Sequence, residues 1–378
     1  MKLPVICLSG AVTATLLAIV MGSFPALASI GSHPWPRAAV IPFMDGSLYK
    51  DFVVSRGYNY HYYVSSAPSG DLTKPTLVFI HGFGIGSKDW RHQVDFFVNQ
   101  GYRVLAPDML GYAGSSVVNG VDYNALKYSL LVKDIAEIMD REKVNSAVFV
   151  AQGGGSPILS RLTQLYPQRV RAAAFLSVPY TPPNPSFNYT EELKREKAKY
   201  GHELTGFHDF YANDAAVVKI VANHFDAFFT ILYPNDPKSW AEIYGPLGKL
   251  REYILSGKIL PSPSWFSSEE DKQFEYDRQR EQGRKDQYAY SKAIVSGLQA
   301  TDDAATPADR YIVPASIPVL FGAALDDYVS LAAEGKDLTQ KYCKNATIRD
   351  FKTGHWVHLQ RPGDVNEVLR GWFRVLGF

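Results

Sequence analysis

Apolar positions along the chain keep two alternating rhythms: short β-branched or aromatic runs, and longer stretches with apolar residues three and four apart. Residues 49–56 and 58–65 flank Gly57 and predict a β-hairpin. Residues 76–80 form a buried-strand run that stops at His81-Gly82-Phe83-Gly84, and residues 88–99 carry Trp90, Val94 and Phe97 at helical spacing. The same reading predicts a strand at 103–106, a helix at 123–140, a strand at 147–150, a helix after Gly153-Gly154-Gly155 and a strand at 171–178. From Pro179 the texture changes to Pro-rich turns, aromatic helices over 207–233 and a charged stretch over 267–286 that reads as the solvated face of a helix. Strands at 317–321 and 346–351 and helices at 331–342 and 365–376 then resume the first pattern. Such alternation predicts an α/β fold, a mostly parallel sheet with helices on both faces. Its two core segments, 49–180 and 301–378, flank an inserted helical cap at 181–300 and follow an N-terminal lead at 29–48.

Composition narrows the function classes. The 378 residues carry 39 Lys+Arg against 38 Asp+Glu, a net charge of +1, so no electrostatic footprint for nucleic acid is present. A hydrophobic content of 46% is enough for a packed core, and 13% aromatic residues suit an apolar pocket or simply dense packing. At the N-terminus, Met1 and Lys2 precede an uncharged run, residues 3–28, with an apolar centre at 11–21, then Pro25 and Ala26-Leu27-Ala28. This predicts a secretory signal cleaved after Ala28; an uncleaved membrane anchor is the alternative. Cys7 falls in that signal and leaves Cys343 single, so no intramolecular disulfide framework is expected. Neither metal-ligand spacing nor a nucleotide motif is found, and no cofactor is expected.

Five loops carry the candidate chemistry, each following a predicted strand: His81-Gly82-Phe83-Gly84, residues 107–116 from Pro107-Asp108 to Ser115-Ser116, Ala151-Gln152-Gly153-Gly154-Gly155, residues 322–329 with Asp326-Asp327, and Gly354-His355-Trp356. In this order and spacing they resemble the α/β-hydrolase fold, and within it the epoxide hydrolase and haloalkane dehalogenase branch, over roughly residues 49–378. The resemblance implies an eight-stranded sheet with a cap, His355 as catalytic base and Asp327, rather than Asp326, as the carboxylate that orients it. It also implies an oxyanion hole from the N–H groups of Phe83 and Gly154. Asp108 is a candidate acid, or else a cap for its own loop, and His81, Gln152 and Trp356 are candidate pocket residues.

The chain departs from the family where the nucleophile belongs. The family places Ser or Asp at the centre of a sharp strand-to-helix turn, and here that position is Gly153, a vacant nucleophile. Ser156, followed by Pro157, is the alternative hydroxyl. The cap tyrosines that assist epoxide opening in the family fall at Phe207 and Ser291, so their phenols are missing, with Tyr211, Tyr288 and Tyr290 as stand-ins. What remains is an Asp-His pair able to do acid/base chemistry without a covalent intermediate: hydrolysis, epoxide opening, or a cyclisation or isomerisation of a small apolar molecule. By resemblance, such a remodelled, secreted relative looks like an enzyme of secondary metabolism. Two other readings stand beside it, a non-catalytic ligand-binding homologue and a serine-type hydrolase using Ser156.

Overall fold

The computed structural model describes residues 44–66, 74–118, 123–282 and 287–378; the predicted signal and most of the lead lie outside them. Eight strands form one sheet: β1 (Tyr49–Val53), β2 (Asn59–Val64), β3 (Thr76–Ile80), β4 (Val104–Pro107), β5 (Ala147–Gln152), β6 (Val170–Leu176), β7 (Val319–Ala324) and β8 (Ala346–Phe351). Their order is β1-β2-β4-β3-β5-β6-β7-β8, antiparallel at β1/β2 and β2/β4 and parallel elsewhere. Gly57, at φ +83°, supplies the left-handed turn of the predicted hairpin. The inner strands are buried because their residues alternate between two cores. In β5, Ala147, Phe149 and Ala151 face one core, while Val148 and Val150 face the other. Helices α1 (Arg91–Asn99), α2 (Tyr128–Arg141) and α3 (Gly155–Leu165) follow β3, β4 and β5. Helix α1 packs on the second core through Val94 and Phe97, while α2 and α3 pack on the first through Leu131, Ile135, Ile158 and Leu162.

Between β6 and β7 the chain builds the cap from α4 (Tyr189–Tyr200), α5 (Phe207–Asn213), α6 (Val217–Asn223), α7 (Phe225–Leu232), α8 (Lys249–Ser256), α9 (Glu269–Gln282), α10 (Ala289–Val295) and α11 (Leu298–Asp303). The boundary expected at residue 300 falls inside α11. Helices α12 (Ala332–Tyr342), α13 (Val357–Gln360) and α14 (Pro362–Val375) complete the core. Among the described residues no helix is long and apolar enough to cross a membrane, and Cys343 is a buried free thiol.

The charged stretch is a solvated face on its outer side only, where Glu269, Glu270, Gln273, Asp277 and Arg280 are exposed. Asp271, Glu275 and Gln279 recur at four-residue spacing along α9 and turn a polar stripe inward, each almost fully buried. Arg91 of the core donates to Asp271 at 2.6 and 2.9 Å, and Arg278 bonds both Asp89, at 2.8 Å, and Glu275. A second buried seam joins Arg161 on α3 to Asp303 of the cap at 2.6 and 2.7 Å. Charge pairing inside the interface, rather than solvation, is what orders these residues.

Candidate active site

The strand ends converge beneath the cap on a cavity of about 290 Å³, near the lower end of the range for small-molecule pockets. Its floor includes His81, Phe83, Gly153, Gly154 and His355; its roof includes Phe207, His208, Trp240, Tyr244, Tyr290 and Ser291, with Trp356 at the side.

His355 sits in the loop after β8, and its Nδ1 lies 2.6 Å from Asp327 Oδ2. The other carboxylate oxygen of Asp327 accepts the N–H groups of Val329 (3.0 Å) and Ser330 (3.1 Å), so the acid is fixed before it meets the histidine. Asp326 has no such contact and instead uses its own N–H on Thr353 O. The His355 carbonyl accepts both Gln152 Nε2 (3.1 Å) and the Ser177 hydroxyl. Ser177 holds φ +66°, a left-handed conformation uncommon for serine, at the end of β6. These bonds leave Nε2 of the imidazole directed at Gly153.

Gly153 itself has φ +53°. A Cβ built on it would lie 3.0 Å from His355 Nε2. The imidazole edge therefore occupies the space beside the missing side chain, and a base faces the cavity with nothing between. Gly82 is needed for close approach, since a Cβ there would lie 2.8 Å from Gln152 O and 2.9 Å from Gly154 N. The N–H groups of Phe83 and Gly154 thereby come side by side at the cavity wall, and among the described residues neither donates to a protein acceptor. Paired free donors at a helix N-terminus suit a developing oxyanion.

Other expected site residues lie elsewhere. Asp108 does not reach the cavity: its carboxylate accepts Ser87 N (2.8 Å) and Gly114 N (3.3 Å), which fastens its own loop. Gln152 supports the His355 backbone instead of lining the pocket. Tyr211 is fully buried behind Phe83, stacked between Phe83 (4.9 Å) and Tyr288 (5.1 Å), and donates to Tyr244 Oη. Ser156 lies within α3 with its hydroxyl buried and unpartnered, away from the cavity, so the serine-type alternative lacks an accessible hydroxyl. Phe207, Tyr290, Ser291, His81 and Trp356 do line the cavity. Sequence reading missed Ser177, Trp240, Tyr244 and His208. The last places Nδ1 2.9 Å from Ser291 Oγ, and burial pushes its pKa down to about 3.

His81 is neutral as well. Met109 N–H donates to its Nε2 (2.8 Å), so the proton rests on Nδ1, 2.9 Å from Gly82 O. Burial pushes its pKa down to about 4 and holds that of His358, packed at a tilt against Trp90, well below the ordinary value. Both groups have folded pKa values below the unfolded one, so their stabilisation is complete above about pH 6.5 and is lost as pH falls toward the folded values. We expect stability to drop between pH 6.5 and 5 by about 1.4 kcal/mol per pH unit for each histidine. Urea unfolding at stepped pH checks this, and a flat profile would refute it.

Residues 75–220 match the family model described as the α/β hydrolase fold. The bifunctional epoxide hydrolase 2 of Sus scrofa is 26% identical over 308 residues, 80% of this chain, and the chain spans 52%, about half, of that relative's length. Epoxide hydrolase A of Mycobacterium tuberculosis is 34% identical over 114 residues, 30% of this chain and 35% of that protein. Among solved structures, epoxide hydrolase A from Mycobacterium thermoresistibile superposes with TM-score 0.67 at 23% identity, covering 86% of this chain and 98% of its own. An epoxide hydrolase from an endophytic Streptomyces gives 0.69 at 23%, covering 87% and 95%. The chain has the α/β-hydrolase fold, and the relatives and solved structures it is similar to are epoxide hydrolases.

Proposed function

We propose that this protein is an enzyme that opens an epoxide, or carries out a related hydrolysis or cyclisation, on a small apolar molecule, with His355 as general base and no covalent intermediate on the protein. One observation carries the reading: His355 is held by Asp327 at 2.6 Å while its Nε2 faces the cavity beside Gly153. A base so held can take the proton of a water or of a substrate hydroxyl as that oxygen attacks, a contribution of about 10²–10⁴ in rate. The Phe83 and Gly154 N–H groups stabilise negative charge in the same space. The relatives' names support an epoxide as the electrophile. A purely binding role would account for Gly153 but gives no reason to hold a buried, doubly hydrogen-bonded carboxylate behind a histidine. The uncharged run at residues 3–28 supports entry into the secretory pathway, with an uncleaved membrane anchor as the alternative.

Turnover of styrene oxide and of epoxides bearing a remote hydroxyl, run in ¹⁸O-water with mass detection, tests this. Wild type should convert at least one of them and His355→Gln should lose at least about 10²-fold. Label in the product then separates attack by water from attack by the substrate hydroxyl. Equal rates for both proteins would refute the reading.

A further inference from the structure

An epoxide oxygen that leaves its carbon as an alkoxide needs a proton, and His355, on the attacking side, is not placed to give it. The cap roof presents a donor. Trp240 to Tyr244 form a single π-helical turn, closed by Gly245 N–H on Trp240 O (2.8 Å), a local irregularity that recurs at functional sites. The turn stacks Tyr244 on Trp240 with ring centres 4.6 Å apart and planes 15° apart, both rings lining the cavity. Trp240 is anchored by its Nε1 on Ile231 O (2.7 Å), and its further ring neighbours are His355, at 5.2 Å, and Trp356, edge-on at 6.4 Å. Tyr244 and His355 thus flank one indole. Tyr244 also packs on Phe207 at 4.6 Å, next to a ring without a hydroxyl.

Hydrogen-bond direction singles out Tyr244. Tyr211 donates to the Tyr244 oxygen (3.2 Å), and among the described residues no protein acceptor takes the Tyr244 proton. The proton is free to point at a ligand, and the donated bond favours the phenolate that its loss creates. The other cavity tyrosines differ. Tyr128 lies in the field of Arg161 and Asp303, and Tyr290, in that of Asp134 and Arg56, has an unpartnered hydroxyl and so no donor to hold its phenolate.

We propose that Tyr244 is the catalytic acid of this site and Tyr211 its positioning residue. The assignment rests on the acid/base reading above. As the new C–O bond forms, His355 Nε2 takes the proton of the attacking O–H. The epoxide C–O bond breaks with its electron pair on oxygen, and that oxygen takes the Tyr244 proton. The Tyr244 phenolate, held by the Tyr211 O–H, then recovers the proton from the His355 imidazolium through the product hydroxyl. The sum is epoxide plus O–H giving alcohol plus ether, or a diol when water attacks, with no other reactant.

Two measurements test it. In the turnover assay, Tyr244→Phe should lower kcat about 10²-fold with KM changed only a few-fold, and Tyr211→Phe should lower kcat less. A second readout needs no turnover: the infrared carbonyl band of ¹³C=O-labelled acetophenone bound to the intact chain. Wild type and His355→Gln should shift the band down, Tyr211→Phe should shift it less, and Tyr244→Phe should shift it least, leaving only what the Phe83 and Gly154 N–H groups contribute. An identical band in wild type and Tyr244→Phe overturns the proposal, as does a wild type that binds no acetophenone. A Tyr244→Phe variant with full kcat, beside an inactive His355→Gln, also overturns it while leaving the acid/base reading intact. Equal rates for wild type and His355→Gln overturn that reading alone, and the band then decides whether Tyr244 is the donor.

Discussion

Arg91→Met is expected to destabilise the protein by about 3–5 kcal/mol, more than any surface substitution, because it breaks a buried charge network at one point. Arg91 is 1% exposed and bonds Asp271 twice. Burial opposes the ionised form of Asp271, yet the His92 and Arg91 contacts win and hold its pKa at about 2. Without the guanidinium, Asp271 keeps only His92, 3.3 Å away, and Glu275 keeps Arg278 and Tyr233. Methionine matches the length of the stem but offers no donor, so one carboxylate must be protonated or drag water into the seam. Asp271 then titrates nearer its ordinary value. A carboxylate with a depressed folded pKa stabilises above its unfolded pKa and stops doing so as pH falls through the folded one, so the variant should also lose part of the wild-type stability change between about pH 4 and 2. Urea unfolding at pH 7 measures the main effect. The double variant Arg91→Met/Asp271→Leu should regain much of the loss, since removing both partners leaves no unpaired charge. A loss below about 1 kcal/mol for the single variant, the range of an exposed pair such as Lys194–Glu191, would show that water already reaches the seam. The same seam touches the chemistry: Gln279 of α9 donates to Gly84 O, one residue from the Phe83 N–H.

What was legible in the sequence was whatever a local pattern or a loop order encodes. The strands from Thr76–Ile80 to Val319–Ala324 were readable because buried parallel strands are short continuous apolar runs, whereas the edge strand Ala346–Phe351 carries exposed Arg349 and Asp350. The Asp327–His355 contact spans 28 residues, but both groups sit on loops after adjacent strands, so the order of loops was enough to pair them. Asp108 misled because an acid beside Gly-rich sequence looks the same whether it serves a ligand or a pair of backbone N–H groups. Tyr211 misled in another way: one helical position decides whether a phenol enters the cavity or supports the phenol that does. Tyr244 and Trp240 were invisible because a π-turn leaves no signature in apolar spacing, and Ser177 because a positive φ at serine is set by tertiary packing. The buried stripe of α9 was hidden for the same reason as any buried ion pair, since its partner Arg91 lies 180 residues away.

Gly153→Asp is the second large expected effect, a change of mechanism rather than a loss. The elbow frame is intact: Gly153 holds a left-handed φ of +53°, and its N–H donates to Leu176 O at 3.2 Å. Aspartate tolerates that conformation better than most residues, at a cost of about 1–2 kcal/mol in stability. Its Cβ would meet His355 Nε2 at 3.0 Å, so the imidazole must retreat a few tenths of an ångström along its bond to Asp327. The introduced carboxylate then lies between the base and the Phe83 and Gly154 N–H groups, where it can attack an epoxide carbon itself. The C–O bond of the epoxide breaks, its oxygen leaves as an alcohol, and an ester to the protein remains; His355 then activates the water that hydrolyses it. Wild type has no group to form that ester. Incubated with styrene oxide, Gly153→Asp/His355→Gln should therefore accumulate a protein whose mass rises by that of the epoxide, to near one equivalent, because the ester forms and its hydrolysis lacks a base. Gly153→Asp alone should turn over the epoxide with little adduct at steady state, and wild type should show none at any time. Peptide mapping must place the added mass on position 153. An adduct at another residue, or none in the double variant, would mean that the turn no longer presents its central residue to the cavity, and that the space beside Nε2 is closed to an attacking side chain.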